Sequence, residues 1–449
     1  TMATTYLTRT PAGAGNLKTW TISLWVKFST ADVTEYIIGG RENSSNRFYL
    51  RRSSGGELYC YSVLSGSVVL EWTGARKLRD TSGWYNLVFR QDTTESTGAD
   101  RFRVYINGVQ EAITFQHTPD LNEDLYYNKN QPTTYGSEYG STQPFNGLMS
   151  HIHFSDGYSY APTVFGSTDA TTGEWEINTA PTMTMGTNGY TILKDGNTIT
   201  DQSSNSNNWT LGGGTLTATE DCPSDVFATM NPLESRSASG TVYPTGFHNG
   251  NNVIKYNDAD TWTKGTIATL APSAGKYYWE LKVVVTGSDV RLGVVQGNYS
   301  GTSYGGNTTW NAYSYTEDGQ KMLNGGGATA YGNSFTTGDY ISFALDCGTG
   351  TIWCAKNGTW QNSATTSEIS AGTTTNSMYT GINMDWGLTP HSVMYDATPN
   401  NVTLAYNFGN GYFGTTAISS EGTNASGIGK FEYDVPTGYT ALSTKGLNS

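Results

Sequence analysis

Residues 20–28 read Trp-Thr-Ile-Ser-Leu-Trp-Val-Lys-Phe, and every second position from Trp20 to Phe28 is apolar. The positions between them hold threonine, serine, lysine and a second tryptophan, Trp25. Successive side chains of a β-strand point to opposite faces, so this alternation is the pattern of a strand with one face against a core. We therefore expect a half-buried strand here, with Thr21, Ser23 and Lys27 on its outer face.

The same alternation recurs along the whole chain. Further strands are predicted over 84–89, 101–109, 148–154, 276–283 and 339–346. The Asn-Gly dipeptides at 107–108 and 357–358 favour two-residue hairpin turns, because both residues tolerate positive φ. No amphipathic stretch exceeds three helical turns. The predicted fold class is all-β, with two antiparallel β-sandwich domains joined by a packed linker.

The composition agrees with that fold class and excludes several functions. Charged residues make up 14% of the 449 positions, well below the ~25% of ordinary soluble domains, whereas glycine reaches 54 and tyrosine 30. The net charge is −13 and no stretch concentrates lysine or arginine, so nucleic acid and anionic membranes are excluded as expected partners. No run of about 18 apolar residues occurs that could insert into a bilayer.

The strand pattern lapses between residues 201 and 250, which suggests a domain boundary. We predict a first domain over 1–220, a linker over 221–245 and a second domain over 246–449. The linker contains Phe227, Met230 and Leu233, which could pack against a neighbouring surface.

Five segments of the first half carry a family resemblance: residues 20–27, 83–88, 104–109, 145–152 and 201–209. Together they resemble laminin-G-like, concanavalin A-like jelly rolls. The second half resembles a SPRY domain through Gly-Lys-Tyr-Tyr-Trp-Glu at 275–280 and the segments 292–294, 338–341, 345–346, 356–358 and 407–409. The resemblance implies that each half is a two-sheet sandwich.

The tandem, with its linker at 227–233 and its opening at 6–11, resembles structural proteins of marine bacteriophages. That resemblance implies a virion protein, assembled in the host cytoplasm and displayed on a fibre, an appendage or the capsid surface. The expected function is non-enzymatic binding of host surface glycan or of neighbouring virion subunits, and the protein is expected to be a homo-oligomer. Two alternatives stay open: a purely structural capsid cement protein, and a glycan-binding protein or depolymerase.

No pattern of catalytic or cofactor-binding residues is found. Glycanases of the jelly-roll family hold two carboxylates in a Glu-x-Asp-x-x-Glu pattern, which is absent, and the acidic clusters at 122–124 and 432–434 lack suitable spacing. We therefore predict no enzyme, no catalytic residue and no cofactor.

Two weak metal patterns occur. The stretch from Asp124 to Asn128 superficially matches the Asp-x-Tyr-x-Asn loop of calcium lectins, but a hard cation wants six or more oxygens and the next acid, Glu138, lies ten residues past Asn128. His151 and His153, two residues apart, share one strand face that we expect to be exposed. We predict no metal site.

Aromatic residues in polar, uncharged segments are the candidate contact residues. Such rings stack on the apolar faces of sugars and also suit protein contacts. One set lies in the segment 125–139, which lacks strand periodicity, and the other in the second half. The candidates are Tyr126, Tyr127, Tyr135, Tyr139, Tyr304, Trp310, Tyr313 and Tyr315. Structural packing or subunit contact explains these residues equally well.

Overall fold

The computed structural model describes residues 4–140, 143–196, 198–234, 236–237, 246–256, 264–297, 311–394 and 402–448. The chain divides into two compact units, Thr1–Ala218 and Thr219–Ser449, which we call the first and second domains. The regular secondary structure of both is almost entirely β-strand in antiparallel sheets, which confirms the predicted all-β fold class.

The first domain is built from strands in the following chain order: β1 (Tyr6–Arg9), β2 (Thr19–Phe28), β3 (Glu35–Asn43), β4 (Asn46–Arg52), β5 (Glu57–Leu64), β6 (Ser67–Lys77), β7 (Tyr85–Asp92), β8 (Phe102–Ile106), β9 (Val109–Gln110), β10 (Ile113–His117), β11 (Thr133–Tyr135), β12 (Gly147–Asp156), β13 (Gly166–Thr168), β14 (Trp175–Ile177), β15 (Tyr190–Ile192) and β16 (Thr210–Gly213). One sheet has the order β10-β6-β5-β4-β3-β11-β1-β16, the other has the order β15-β12-β2-β7-β8-β9, and β13 pairs with β14. Short 3-10 helices cover Gly98–Asp100 and Pro162–Val164.

The second domain continues with β17 (Arg236–Ser237), β18 (Gly246–His248), β19 (Val253–Tyr256), β20 (Lys264–Ile267), β21 (Lys276–Val285), β22 (Val290–Gln296), β23 (Ala312–Thr316), β24 (Gln320–Leu323), β25 (Thr329–Ala330), β26 (Tyr340–Asp346), β27 (Thr351–Lys356), β28 (Thr359–Trp360), β29 (Leu388–Met394), β30 (Val402–Asn407), β31 (Tyr412–Phe413), β32 (Thr416–Ala417) and β33 (Thr440–Ala441). One sheet has the order β17-β20-β29-β22-β23-β24-β25 and the other β18-β19-β30-β21-β26-β27-β28, with β33 parallel to β21.

Helical structure in the second domain is confined to short segments. They are the 3-10 helix Pro232–Glu234 and the α-helices α1 (Thr366–Ala371) and α2 (Thr444–Leu447). Within the described ranges, no helix combines the length and apolar character required to cross a bilayer.

Strand β2 shows how the first core forms. Trp20, Ile22 and Leu24 are fully buried between the two sheets, as their alternation predicts. The expectation of an exposed outer face is wrong, because Thr21 and Lys27 are only 0% and 3% exposed. Both faces of this strand are therefore covered.

The cover on the outer face is the chain between β12 and β15. Phe165 from this segment packs on Val88 and Tyr105, which point out of the six-stranded sheet. The hydroxyl of Thr21 donates a hydrogen bond to the carbonyl of Tyr158 at 2.8 Å. A long connection that folds back over the sheet thus forms a second, smaller apolar layer.

Asn107 and Gly108 form the predicted hairpin turn between β8 and β9, with φ values of 48° and 74°. A Cβ atom on Gly108 would collide with the ring of Trp175. We expect Gly108→Ala to lower the free energy of unfolding by about 1–3 kcal/mol, since it combines left-handed backbone strain with overpacking. Chemical denaturation measures this loss, and Gly13→Ala is the control because open space surrounds that glycine. Equal stability of the two variants would contradict the expectation.

The segment predicted as a linker, 221–245, is described as far as residue 234 and at 236–237. Its described part belongs to the second domain, where Phe227 and Met230 are 2% and 0% exposed. Met230 forms a β-bridge with Ala268, and Phe227 forms one with Ser443. Leu233, in contrast, is 46% exposed.

Candidate functional site

Three of the candidate tyrosines in the first domain lie in its core. Tyr126, Tyr127 and Tyr135 are 2%, 4% and 1% exposed. Their segment belongs to the sheet, because β11 pairs with both β1 and β3. The hydroxyls of Tyr127 and Tyr135 lie 3.2 and 2.9 Å from the hydroxyl of Tyr190. This corrects their assignment as ligand contacts, since a buried ring offers no face to a ligand. Tyr139, at 52% exposure, is the exception.

The two weak metal patterns are also engaged within the protein. Asn128 donates its side-chain amide to Asp156 at 2.7 Å, while Asp124 lies 3.8 Å from the ammonium of Lys18. Among the described residues, no group of three or more His, Cys, Asp or Glu side chains could hold a metal ion.

The expectation that His151 and His153 lie on an exposed face is wrong. They are 8% and 3% exposed, and burial lowers the pKa of His151 to about 4 and that of His153 to about 3. A register shift between Ser150 and His153 disturbs the strand, and the ring of Phe165 stacks on His153 at 6.0 Å. The covering layer described above thus buries His153, while the amide of His151 donates to the carbonyl of Leu193 at 2.9 Å.

The candidates in the second domain separate into three cases. Tyr304 and Trp310 lie outside the described residues. Tyr315 is fully buried, with its ring 5.7 Å from that of Phe335 and its hydroxyl donating to the carbonyl of Asn333, which corrects its assignment as a contact residue. Tyr313 is half-buried and lies at the edge of a surface that the sequence analysis did not recognise.

That surface surrounds an exposed tryptophan between β28 and β29. Trp386 is 61% exposed, the highest value of any large hydrophobic side chain in the described ranges. We call the turn and the amide side chains linked to it the Trp386 surface, which comprises Gln296, Asn311, Asn383, Asp385 and Trp386.

Hydrogen bonds hold the backbone around Trp386 in a tight turn. The amide of Gly387 donates to the carbonyl of Met384 at 2.9 Å, and the amide of Gly297 donates to the carbonyl of Gly387 at 3.0 Å. The side chain of Asn383 accepts from the amide of Asp385 at 2.8 Å. The backbone that carries the indole is therefore held in place by the protein itself.

Amide side chains link this turn to the neighbouring strands. The Nδ2 atom of Asn311 donates to Gln296 Oε1 at 2.7 Å, and Gln296 Nε2 donates to the carbonyl of Asn383 at 3.1 Å. Gln296 ends β22, and Asn311 precedes β23. Two adjacent strands thus place polar amides beside the tryptophan turn.

Tyr313 follows Asn311 by two residues, and its ring pairs with that of Tyr379. Their centroids are 5.1 Å apart in an edge-to-face arrangement, and the ammonium of Lys321 lies 5.2 Å from the centre of Tyr379. Burial raises the pKa of Tyr313, so its phenol is neutral at physiological pH. The Trp386 surface therefore combines an exposed indole with amide side chains and the carboxylate of Asp385.

Trp386 could have been selected from the sequence by the criterion that selected the other aromatic candidates. The criterion of an aromatic residue in a polar, uncharged segment selected Tyr313 and its neighbours in sequence. The same criterion applied to 379–387 would have selected Tyr379 and Trp386. Their proximity to Tyr313 could not be read from the sequence, because more than 60 residues separate them.

Family models match both domains. Residues 2–164 match the model described as the concanavalin A-like lectin/glucanases superfamily, and residues 276–387 match the SPRY domain. The chain carries a concanavalin A-like domain followed by a SPRY domain. This confirms the resemblance of the first half to concanavalin A-like jelly rolls and of the second half to a SPRY domain.

Solved structures similar to the chain include proteins related to each domain. The SPRY domain of human HERC1 is 16% identical, with 39% of this chain and 96% of that chain covered and a TM-score of 0.29. Domain 4 of AbnA, an extracellular arabinanase from Geobacillus stearothermophilus solved with arabinotriose, is 19% identical, with 34% and 67% covered and a TM-score of 0.24. A Bacteroides ovatus protein described as carbohydrate binding is 16% identical, with 48% and 60% covered and a TM-score of 0.33.

Proposed function

We propose that this protein is a non-enzymatic binding protein that contacts carbohydrate through the Trp386 surface. The observation that carries the proposal is the 61% exposure of Trp386 on a hydrogen-bonded turn. An exposed indole is costly to leave in water and supplies a flat apolar face. The apolar face of a sugar ring stacks on such a surface while its hydroxyls hydrogen-bond to neighbouring groups.

The surroundings of Trp386 support a carbohydrate ligand. Asn383 and Asn311 carry amides that donate and accept hydrogen bonds, which suits hydroxyl groups. The carboxylate of Asp385 accepts a hydrogen bond from Asn383 at 3.0 Å and is a further acceptor for sugar hydroxyls. The match of residues 2–164 to a superfamily named for lectins and glucanases supports carbohydrate as a ligand of the protein, but it concerns the first domain and not the Trp386 surface.

The arrangement of carboxyl groups supports a role without turnover. Glu35 and Glu280, whose pKa values burial raises to about 7, have no exposed surface from which to reach a substrate. In the acidic clusters, Glu123 accepts from the amide of Asp120 at 2.8 Å and Asp434 accepts from the amide of Thr423 at 2.7 Å. These acids stabilise their own loops.

The proposed location is the surface of a bacteriophage particle, with other virion proteins and host cell-surface polysaccharide as partners. The support for this location is the resemblance of the tandem sequence to structural proteins of marine bacteriophages. Polar, weakly charged surfaces also suit subunit contacts in a homo-oligomer. Immunogold labelling of intact particles with antibodies to the SPRY domain tests the location, which absence of label on assembled particles would contradict.

The carbohydrate proposal is tested on an array of bacterial capsular and lipopolysaccharide glycans with the full chain. We expect Trp386→Ala to weaken binding to the strongest glycan by about 10- to 30-fold, which is typical of a central aromatic contact. Tyr158→Ala is the matched control, because Tyr158 is a 44% exposed aromatic residue in the other domain. Unchanged binding by Trp386→Ala, or equal losses in both variants, would contradict the proposal.

A further inference from the structure

Four tyrosines and two arginines cover the outer face of the eight-stranded sheet in the concanavalin A-like domain. On β4, Phe48 and Leu50 point into the core and are each 1% exposed, so the residues that alternate with them point outward. We call this outer set the tyrosine–arginine face, which comprises Tyr36, Arg47, Tyr49, Arg51, Tyr59 and Tyr61.

The rings hold both guanidinium groups in place. The guanidinium carbon of Arg51 lies 4.6 Å from the ring centre of Tyr59 and 5.6 Å from that of Tyr49. The corresponding distance from Arg47 to Tyr61 is 5.1 Å. Stacking on aromatic rings stabilises a guanidinium and limits its rotamers while leaving its N–H groups free to bind acceptors.

The arginines of this face lack anionic partners in the described part of the chain. Neither Arg47 nor Arg51 forms an ion pair there, and the Nε atoms of both are buried without a hydrogen-bond acceptor. Two carboxylates lie near this face: Glu71 accepts a hydrogen bond from the hydroxyl of Tyr59 at 2.6 Å, and the charge of Glu138 contributes to the raised pKa of Tyr36 and Tyr49. Burial raises the pKa of Tyr49 to about 12, so its phenol does not neutralise the arginines either.

The arrangement repeats along the strand direction. Arg47 and Arg51 are four residues apart on one face of β4, or about 13 Å at ~3.3 Å per residue. Arg41 on β3 is the cross-strand partner of Arg47 and adds a third positive charge at one end. Between the arginines, the ring of Tyr49 lies 5.5 Å from that of Tyr61, with an angle of 31° between them.

We infer that the tyrosine–arginine face binds an acidic polysaccharide. Carboxylate or sulfate groups on the polymer accept charge-assisted hydrogen bonds from the two guanidiniums, and the sugar rings lie against Tyr59 and Tyr61, which are half-buried, whereas the rings of Tyr36 and Tyr49 are buried beneath the arginines. A linear polymer with repeated charges matches a flat face whose cations recur along one strand. The whole chain carries a net charge of −13, so a polyanion is attracted only by such a local cluster. The inference concerns a second site and holds whether or not the Trp386 surface binds a glycan.

Binding of the full-length protein to three polymers tests the inference by biolayer interferometry. The probes are dextran sulfate, polygalacturonate and uncharged dextran, which separate sulfate, carboxylate and neutral sugar. We expect binding to at least one polyanion and none to dextran, with a loss of about tenfold or more between about 50 and about 500 mM salt. Failure of both polyanions to bind at low salt, or equal binding of dextran, would overturn the inference and leave an acidic protein as the candidate partner.

Variants of Arg47 and Arg51 test whether the tyrosine–arginine face is the site that binds the polyanion. The double variant Arg47→Gln/Arg51→Gln is expected to weaken polyanion binding at least about tenfold, whereas Arg79→Gln, an exposed arginine outside this face, leaves it unchanged. Trp386→Ala also leaves polyanion binding unchanged, which separates this site from the Trp386 surface. Because both arginines are half-buried, circular dichroism is used to check that each variant folds. The double variant Arg47→Lys/Arg51→Lys keeps both charges but lacks the planar guanidinium groups. We expect it to bind with an affinity between those of the wild type and the glutamine variant. Wild-type affinity in the glutamine variant would overturn the inference.

Discussion

Replacing Arg52 by methionine is expected to lower the free energy of unfolding of the concanavalin A-like domain by about 3–5 kcal/mol. Arg52 and Glu35 form an ion pair between β4 and β3, and the side chains of both are 0% exposed. The guanidinium also donates to the carbonyls of Leu78 at 2.9 Å and Thr30 at 2.5 Å. Removing it leaves a buried carboxyl group and two buried carbonyls without their partner.

The pH dependence of this loss follows from the pKa of Glu35. Burial raises that pKa from 4.5 to about 7, although Arg52 opposes the rise. The native state therefore binds more protons than the unfolded state between these values, and the stability contributed by this group falls as pH rises through that window. Without Arg52 the pKa of Glu35 rises further. We thus expect Arg52→Met to lower the free energy of unfolding by more at about pH 8 than at about pH 5.

Hydrogen–deuterium exchange of the full chain measures this effect in peptides covering 20–28, which report on the first domain alone. Arg79→Met is the surface control and should leave their exchange unchanged. The double variant Glu35→Met/Arg52→Met should recover much of the loss, because it replaces both charges with apolar groups. An Arg52→Met variant as stable as the control would contradict the assignment of a strong buried ion pair.

Replacing Glu280 by alanine is expected to release the chain around residues 430–434 of the SPRY domain. The Glu280 carboxyl group accepts hydrogen bonds from the amides of Glu432 and Tyr433, each at 2.9 Å, and from the hydroxyl of Tyr278 at 2.9 Å. Phe431, fully buried, packs its ring 5.0 Å from that of Tyr278. Loss of the acceptor leaves two buried backbone amides unpaired, for an expected cost of about 3–5 kcal/mol.

Faster hydrogen–deuterium exchange in peptides covering 428–436 would report this release. Glu280→Gln is the matched control, because glutamine keeps the side-chain volume and one acceptor oxygen.

Burial raises the pKa of Glu280 from 4.5 to about 7, so the contribution of Glu280 to stability falls as pH rises through that range. In Glu280→Gln, this decrease in stability between about pH 4.5 and about pH 7 should be absent. The same pH profile in wild type and Glu280→Gln would contradict the assigned pKa.

Alternation along the strands was sufficient to predict the fold class. The inner faces of β2 and β21 follow from it directly, since Trp20 and Trp279 each occupy an apolar face of period two and are 0% and 1% exposed. The hairpins at 107–108 and 357–358 follow from local backbone preference alone. Both are short-range properties, so the sequence carries them without knowledge of distant residues.

The covered outer faces could not be predicted in this way. His153 and Tyr278 alternate with core residues and therefore look exposed, yet segments from elsewhere in the chain fold back over both. The period of a strand shows which side chains share a face but not whether a later segment covers the second face. For the same reason, Tyr135 looked like a loop residue until β11 was seen between β1 and β3.

The sequence by itself determined that this protein is a tandem of β-sandwiches, because periodicity, turn dipeptides and family motifs are encoded over a few residues each. Only the tertiary structure decided which aromatic and charged side chains face solvent. It buried Tyr126, Tyr127 and Tyr135, exposed Trp386 and gathered Arg47 and Arg51 among tyrosines from neighbouring strands. Exposure depends on contacts between residues far apart in the chain, and those contacts exist only once the sheets have formed.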